Sequence, residues 1–246
     1  MKSTHILILL FFNFTSIIMP AQVMSIGLST GTTFYQGDVS ERSLIHLKDY
    51  NLAFGGFIKF QLNNRISIRA NFLKGRISGR DKIYTQIPWR MKRGFQFQSP
   101  ITEVASMVEF DIIKKSLGHN SSISFYVLGG LGYVKANPQV DFNEPNAIYE
   151  QVEIDKFAKY SDSHLSAAMG IGIKWHINPY QTLSIEGADR TAFTDYLDGI
   201  SNSAQPKFGD WYFISVLSFS QSFSFSNNKN GSHKQIPNKA VFCPRF

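Results

Sequence analysis

The twelve residues LSAAMGIGIKWH, 165–176, sort by parity. Leu165, Ala167, Met169, Ile171, Ile173 and Trp175 are apolar. Ser166, Ala168, Gly170, Gly172, Lys174 and His176 between them are small or polar. A period of two belongs to a β-strand, whose successive side chains point to opposite faces. The run also reaches the length of about 9–11 residues that a tilted strand needs to cross a bilayer. Its second face is rich in glycine and serine and carries charge. This pattern predicts lipid on the apolar side and a packed polar interior on the other.

The pattern recurs. Eight strands are expected, at 23–35, 51–62, 65–77, 100–112, 122–135, 165–176, 182–194 and 210–225. The first sets Met24, Ile26 and Leu28 against Ser25, Gly27 and Ser29. The third sets Ile66, Ile68 and Ala70 against Arg65, Ser67 and Arg69. The fourth sets Val104, Val108, Phe110 and Ile112 against Glu103, Glu109 and Asp111. The last sets Phe213, Leu217 and Phe219 against Ser218, Ser220 and Ser222. After the first twenty residues no segment keeps a helical period. The connections alternate. Those at 63–64, 115–120 and 178–181 are short, and asparagine and glycine there suit tight turns with positive φ. Those at 36–50, 78–98, 136–163 and 195–209 are long. Short turns at one end and long loops at the other, on an even strand count, are the form of a transmembrane barrel with both ends of the barrel on the turn side. A soluble lipocalin-like barrel is the alternative, and it requires the apolar faces to look inward. The expected fold is therefore all-β: an eight-stranded antiparallel transmembrane β-barrel preceded by a cleaved signal peptide.

The first residues carry that signal. Lys2 supplies the positive end, 6–18 is mostly apolar, and Ala21 precedes the expected cut. The division is then 1–21 signal peptide, 22–226 barrel and 227–246 basic tail facing the periplasm. An uncleaved anchor helix is disfavoured by Asn13, Thr15 and Ser16, which break the apolar stretch. The single cysteine, Cys243, excludes an internal disulfide framework.

Parity also sorts the charges. Lys59, Arg65, Arg69, Lys174 and Arg190 fall on the lumen face with Glu103, Glu109 and Glu186. Eight strands enclose just enough room for side chains, and an unpaired buried ion is very costly, so these groups are expected to pair. The aromatics Phe34, Tyr133, Trp175, Tyr196 and Trp211 read as girdles at the two membrane interfaces, consistent with a chain holding 22 Phe and 10 Tyr. The formal charge of +7 is concentrated. Arg80, Lys82, Arg90, Lys92 and Arg93 form a basic outer loop with only Asp81 among them. The tail beyond Asn227 carries Lys229, Lys234, Lys239 and Arg245 without an acid. For an exported chain this points to lipid phosphates, lipopolysaccharide above all, or to an acidic protein, and away from nucleic acid.

No catalytic, cofactor-binding or metal residues are expected. Asp162, Ser163 and His164 are contiguous, and neighbours on a strand point apart, which argues against a triad. The spacing of Asp195, Asp198 and Asp210 matches no calcium loop. These acids, with Gly199, instead suit an ordered outer loop in which carboxylates cap backbone amides.

Four stretches carry a family resemblance: GTTFYQGDVS at 31–40, FQSPITEVASMVEFDI at 97–112, FYVLGGLGY at 125–133 and RTAFTDYLDGIS at 190–201. In this order they resemble the DUF6089-type outer-membrane β-barrels, a family that includes a PorG-like component of the type IX secretion system. The resemblance implies a small barrel in the outer membrane of a didermal (Gram-negative) bacterium and, for the PorG-like member, contact with periplasmic proteins of the secretion machine; no cofactor is expected. A general structural, porin-like barrel that binds lipopolysaccharide is the second reading, and a lipid-modifying outer-membrane enzyme the third.

Overall fold

The computed structural model describes residues 23–37, 39, 50–83, 93–117, 121–142, 149–157, 161–194, 196–200 and 210–224. The expected signal peptide and basic tail lie outside them. Nine strands follow one another: β1 (Val23–Gln36), β2 (Asn51–Gln61), β3 (Ile66–Arg80), β4 (Gln96–Ser116), β5 (Ser122–Ala136), β6 (Gln139–Asp141), β7 (Ser163–His176), β8 (Gln181–Ala192) and β9 (Trp211–Ser224). Among the described residues one α-helix, α1 (Tyr149–Phe157), precedes β7.

Eight of the strands close a barrel. All neighbours are antiparallel, in the order β3-β2-β1-β9-β8-β7-β5-β4, and β3 pairs with β4 to complete the ring. The three-residue β6 adds to the loop end of β4. A single circuit fixes the geometry. From Ile101 the paired row passes Gly75, Ala53, Gly31, Val216, Glu186, Gly172 and Tyr126, and it returns to β4 at Asp111, ten residues further along. That stagger on eight strands, with a rise of about 3.3 Å per residue and strands about 4.7 Å apart, tilts the strands by roughly 40°. The backbone cylinder then has a radius of roughly 8 Å, room for side chains and little else.

The outside is apolar. Leu28 is 74% exposed and Met169 75%, and Leu52, Phe54, Phe72, Val104, Leu131, Ile171, Ile185 and Leu217 stand in the same belt. Ser25, Ser67, Arg69, Glu103, Glu109, Ser124, Lys174, Glu186 and Arg190 are buried on the inside. The faces are those of a transmembrane barrel, and the soluble alternative fails on this orientation. Some inward positions are glycine because a ring lies over them. A Cβ on Gly172 would stand 2.5 Å from the Tyr126 ring, and one on Gly27 would stand 2.4 Å from the ring of Phe57.

The short turns are made by asparagine side chains. Asn63 Oδ1 accepts from the amides of Arg65 and Ile66, each at 2.8 Å. Asn178 Oδ1 accepts from Tyr180 (2.9 Å) and Gln181 (2.8 Å). The asparagines act here as Asx turns.

Two features depart from expectation. The long connection after β5 holds β6 and α1, although no helical period announces the helix. The interior is also not polar throughout. Toward the loop end Ile77, Phe97, Ile101, Val134, Ala136, Ala192, Ile214 and Val216 face inward and pack with the loop residues Val39, Phe95, Phe142, Leu197 and Ile200 and with Val152 of α1. This apolar core lies inside the upper barrel.

Candidate functional site

Below that core lies an ionic layer, and Glu109 on β4 is its centre. Arg69 Nη1 on β3 stands 2.9 Å from Glu109 Oε1. Lys174 Nζ on β7 and Lys59 Nζ on β2 approach Oε2 at 2.7 and 3.6 Å. Lys174 also meets Asp111 Oδ1 at 2.8 Å. Arg69 spreads its fork onto Glu186 of β8, Nη1 to Oε2 at 2.8 Å and Nη2 to Oε1 at 2.9 Å. Tyr126 on β5 donates its hydroxyl to the same carboxylate at 2.8 Å. The Arg69 guanidinium also lies over the Phe57 ring at 5.0 Å, and Lys174 Nζ over that of Tyr126 at 4.2 Å.

A second pair sits nearer the loops. Arg190 Nε on β8 donates to Glu103 Oε1 on β4 at 3.0 Å, and the Tyr212 hydroxyl donates to Glu103 Oε2. The four cations Lys59, Arg69, Lys174 and Arg190 thus meet the four carboxylates Glu103, Glu109, Asp111 and Glu186. Formal charge cancels, as a sealed low-dielectric interior requires. Strands β2, β3, β4, β7 and β8 contribute the charges and β5 the Tyr126 hydroxyl, so the layer ties opposite walls together.

The loop end is closed by a different chemistry. The Tyr35 hydroxyl lies 2.6 Å from both Asp198 Oδ2 and Asp210 Oδ1. Asp210 Oδ2 accepts from the Leu197 amide and Asp198 Oδ1 from the Ile200 amide, each at 2.9 Å. Gly199, with φ of 77°, makes the turn between them. Across the mouth, Arg93 grips Asp81 with Nε at 2.7 Å and Nη2 at 2.9 Å, and the Phe95 amide adds a bond of 3.1 Å. Carboxylates on loops thus hold the residues that bring Phe95, Leu197 and Ile200 into the apolar core.

Several residues stand elsewhere than parity suggests. Arg65 is exposed in the β2–β3 turn and takes no place in the lumen, because Asn63 draws its amide into that turn. Phe34 is not at the lipid interface. It is wholly buried and stacked on Tyr50 at 5.3 Å. Tyr133 and Trp175 are about half exposed on the outer face, and Trp175 Nε1 donates to Ser121 Oγ at 3.0 Å. Trp211 is partly covered at the start of β9, and Tyr196 is partly covered in the last long loop. Of the basic outer loop, Arg80 and Lys82 are exposed and Arg93 is tied to Asp81, while Arg90 and Lys92 lie outside the described residues. Tyr126 and Tyr212 were missed as partners of the charges. Parity does place both among the inward positions, since each sits between outward apolar residues of its strand.

No reacting pair emerges at the contiguous Asp162, Ser163 and His164. Asp162 stands 3.9 Å from Lys135, both at the exposed loop end. Among the described residues no group of His, Cys, Asp and Glu is arranged to hold a metal ion.

The sequence matches the family model "Domain of unknown function (DUF6089)" over residues 4–233. The chain belongs to this family. No curated protein matches it. Solved structures similar to this DUF6089 barrel include Ail, the attachment invasion locus protein of Yersinia pestis, with 12% identity, TM-score 0.40, and 82% of this chain and 98% of that one covered. Another is Neisserial surface protein A, with 9% identity, TM-score 0.43, and 81% and 97% covered. A third is the outer membrane protein OprG from Pseudomonas aeruginosa, with 8% identity, TM-score 0.41, and 82% and 95% covered.

Proposed function

We propose that this DUF6089 barrel is a non-enzymatic outer-membrane protein that works by contact, docking periplasmic partners of a secretion machine of the type IX kind. The sealed lumen carries the reading. Among the described residues a neutral ionic layer lies beneath an apolar core and fills the lumen, which favours action through the surfaces. The turn end presents Arg65, Lys114 and Lys115, all exposed, and β9 finishes at that end with the basic tail following it in sequence. A cationic periplasmic face selects acidic proteins. The test deletes 227–246. Secretion is expected to fail while the barrel still assembles, and normal secretion by the truncated chain would defeat the reading.

A second reading is a structural barrel that grips lipopolysaccharide phosphates. The exposure of Arg80 and Lys82 at the loop end supports it. It requires that Arg80→Ala with Lys82→Ala raise the permeability of the outer membrane, and unchanged permeability removes it.

A further inference from the structure

Two outward side chains of opposite sign stand in the apolar belt, Asp189 and Lys74, with Arg76 exposed beyond Lys74 on the same wall. Asp189 on β8 points outward between Met169 and Phe213 and is exposed. Toward the loop end beyond it come Phe193 and Leu165, 66% and 63% exposed and themselves backbone-bonded, so this carboxylate sits within the belt and not above it. Lys74 on β3 points outward beside Phe54 and Thr102, with Leu52 (67% exposed) toward the loop end. Neither has an ion-pair or hydrogen-bond partner among the described residues. Lysine can extend its amine along the barrel toward the interface. Aspartate is too short to do so, and an outward carboxylate at this depth is costly in lipid.

Their placement is complementary. In the ring order β8 and β3 are four strands apart in either direction, so Asp189 and Lys74 occupy opposite walls. Their depths match as well. The paired row through Asp189 passes Met169, Gly129 and Val108 and reaches β3 at Ile68. With a stagger of ten residues on eight strands, that row sinks toward the turn end by about five residues over four strands. The position on β3 level with Asp189 is therefore about residue 73, beside Lys74. One wall carries a belt carboxylate and the opposite wall carries a belt amine at the same height.

We infer that copies of this chain associate side by side in the membrane, Asp189 of one against Lys74 of the next. Because the two patches differ and face opposite ways, the contact does not close on itself, and it extends as a linear row. A second copy is the occupant that supplies the missing cation at the right depth and the missing anion on the other wall. The inference rests on the transmembrane orientation of the barrel. It does not depend on the secretion role.

Two barrels of the same orientation, docked in this way, bring β7 of one against β4 of the other. Met169 and Val104, both outward, then meet at nearly one level and leave the two charges intact. The test introduces Met169→Cys and Val104→Cys into the full chain with Cys243→Ser, and applies a short bis-maleimide to intact membranes. The double-cysteine chain is expected to give a ladder of dimers, trimers and longer species. Each single-cysteine chain alone is expected to give none. Lys74→Glu or Asp189→Lys is expected to lower the cross-linked fraction at least five-fold, and Lys74→Asp with Asp189→Lys together to restore it. Asp189→Asn serves where the lysine variant fails to assemble, judged by heat-dependent gel mobility. Cross-linking of a single-cysteine chain, a ladder indifferent to charge reversal, or no ladder from an assembled barrel overturns the inference. That last outcome leaves the transmembrane orientation standing.

Discussion

Arg69 is held by two carboxylates, Glu109 and Glu186, and its loss takes the paired cation from buried Glu186 while Glu109 keeps Lys174. Breaking a buried ion network by removing one member costs about 3–5 kcal/mol, more than the net worth of the pair, because the orphaned charges stay behind. Arg69→Met is expected to destabilise the barrel by that amount, read as a lower urea midpoint for the shift in electrophoretic mobility. Lys59→Met should cost far less. Lys59 stands 3.6 Å from Glu109, which keeps both Arg69 and Lys174. If the two variants unfold at the same midpoint, the hierarchy read from these distances is wrong. Tyr126→Phe isolates one hydrogen bond to an ionised acceptor, worth about 1.5–3 kcal/mol, and leaves the ring that covers Gly172 in place. These phenols are also where the sequence was least legible. Parity marks a residue as inward, but it does not pair Tyr126 with Glu186 or Tyr212 with Glu103. Those contacts lie across the ring and depend on the stagger.

At the level of elements, the barrel strands could be read because one face of each meets lipid along the whole crossing. β9 shows how far this goes. Its outward residues Leu217 and Phe219 announce the strand, and the inward set divides into Tyr212, Ile214 and Val216 above and Ser218 and Ser220 below. The apolar upper half was therefore present in the sequence, but it is hidden from any reading that treats the inward face as uniformly polar. α1 escaped for another reason. Among its described side chains, 152–157, only Val152 and Asp155 are buried, and Val152 docks onto the core without an apolar stripe along the helix. Arg65 and Phe34 were misplaced because strand ends obey turn chemistry and loop coverage, not parity. The loop anchors can be tested directly. Asp81 is fully buried and bound by Arg93 and the Phe95 amide. Asp81→Ala removes the anchor and leaves the Arg93 charge without it, at a cost of several kcal/mol to the local fold. The expected result is faster trypsin cleavage between β3 and β4 in an assembled barrel whose unfolding midpoint barely moves. A midpoint that falls as far as that of Arg69→Met would mean the mouth and the ionic layer unfold as one unit.

For the whole molecule the question is whether two independent seals close one lumen. The upper seal is apolar, Phe95 and Phe97 packed with Ile101, Leu197 and Ile200. The lower is the neutral ionic layer around Glu109. They fail in different ways. Truncating rings opens space but leaves the charged cross-wall ties in place. Deleting a matched pair of charges removes ties but leaves the rings above dry. With a backbone radius of roughly 8 Å, a continuous water column needs both layers to be emptied. The barrel in planar lipid bilayers is accordingly expected to show no stepwise conductance. Phe95→Ala with Phe97→Ala should remain silent, as should Arg69→Ala with Glu109→Ala, a deletion that takes one positive and one negative charge together. The four substitutions combined should conduct, and Lys59, Lys174, Asp111 and Glu186 should then line the path. Conductance from either pair alone would mean that one layer is already leaky. Action by surface contact would then no longer follow from a closed lumen.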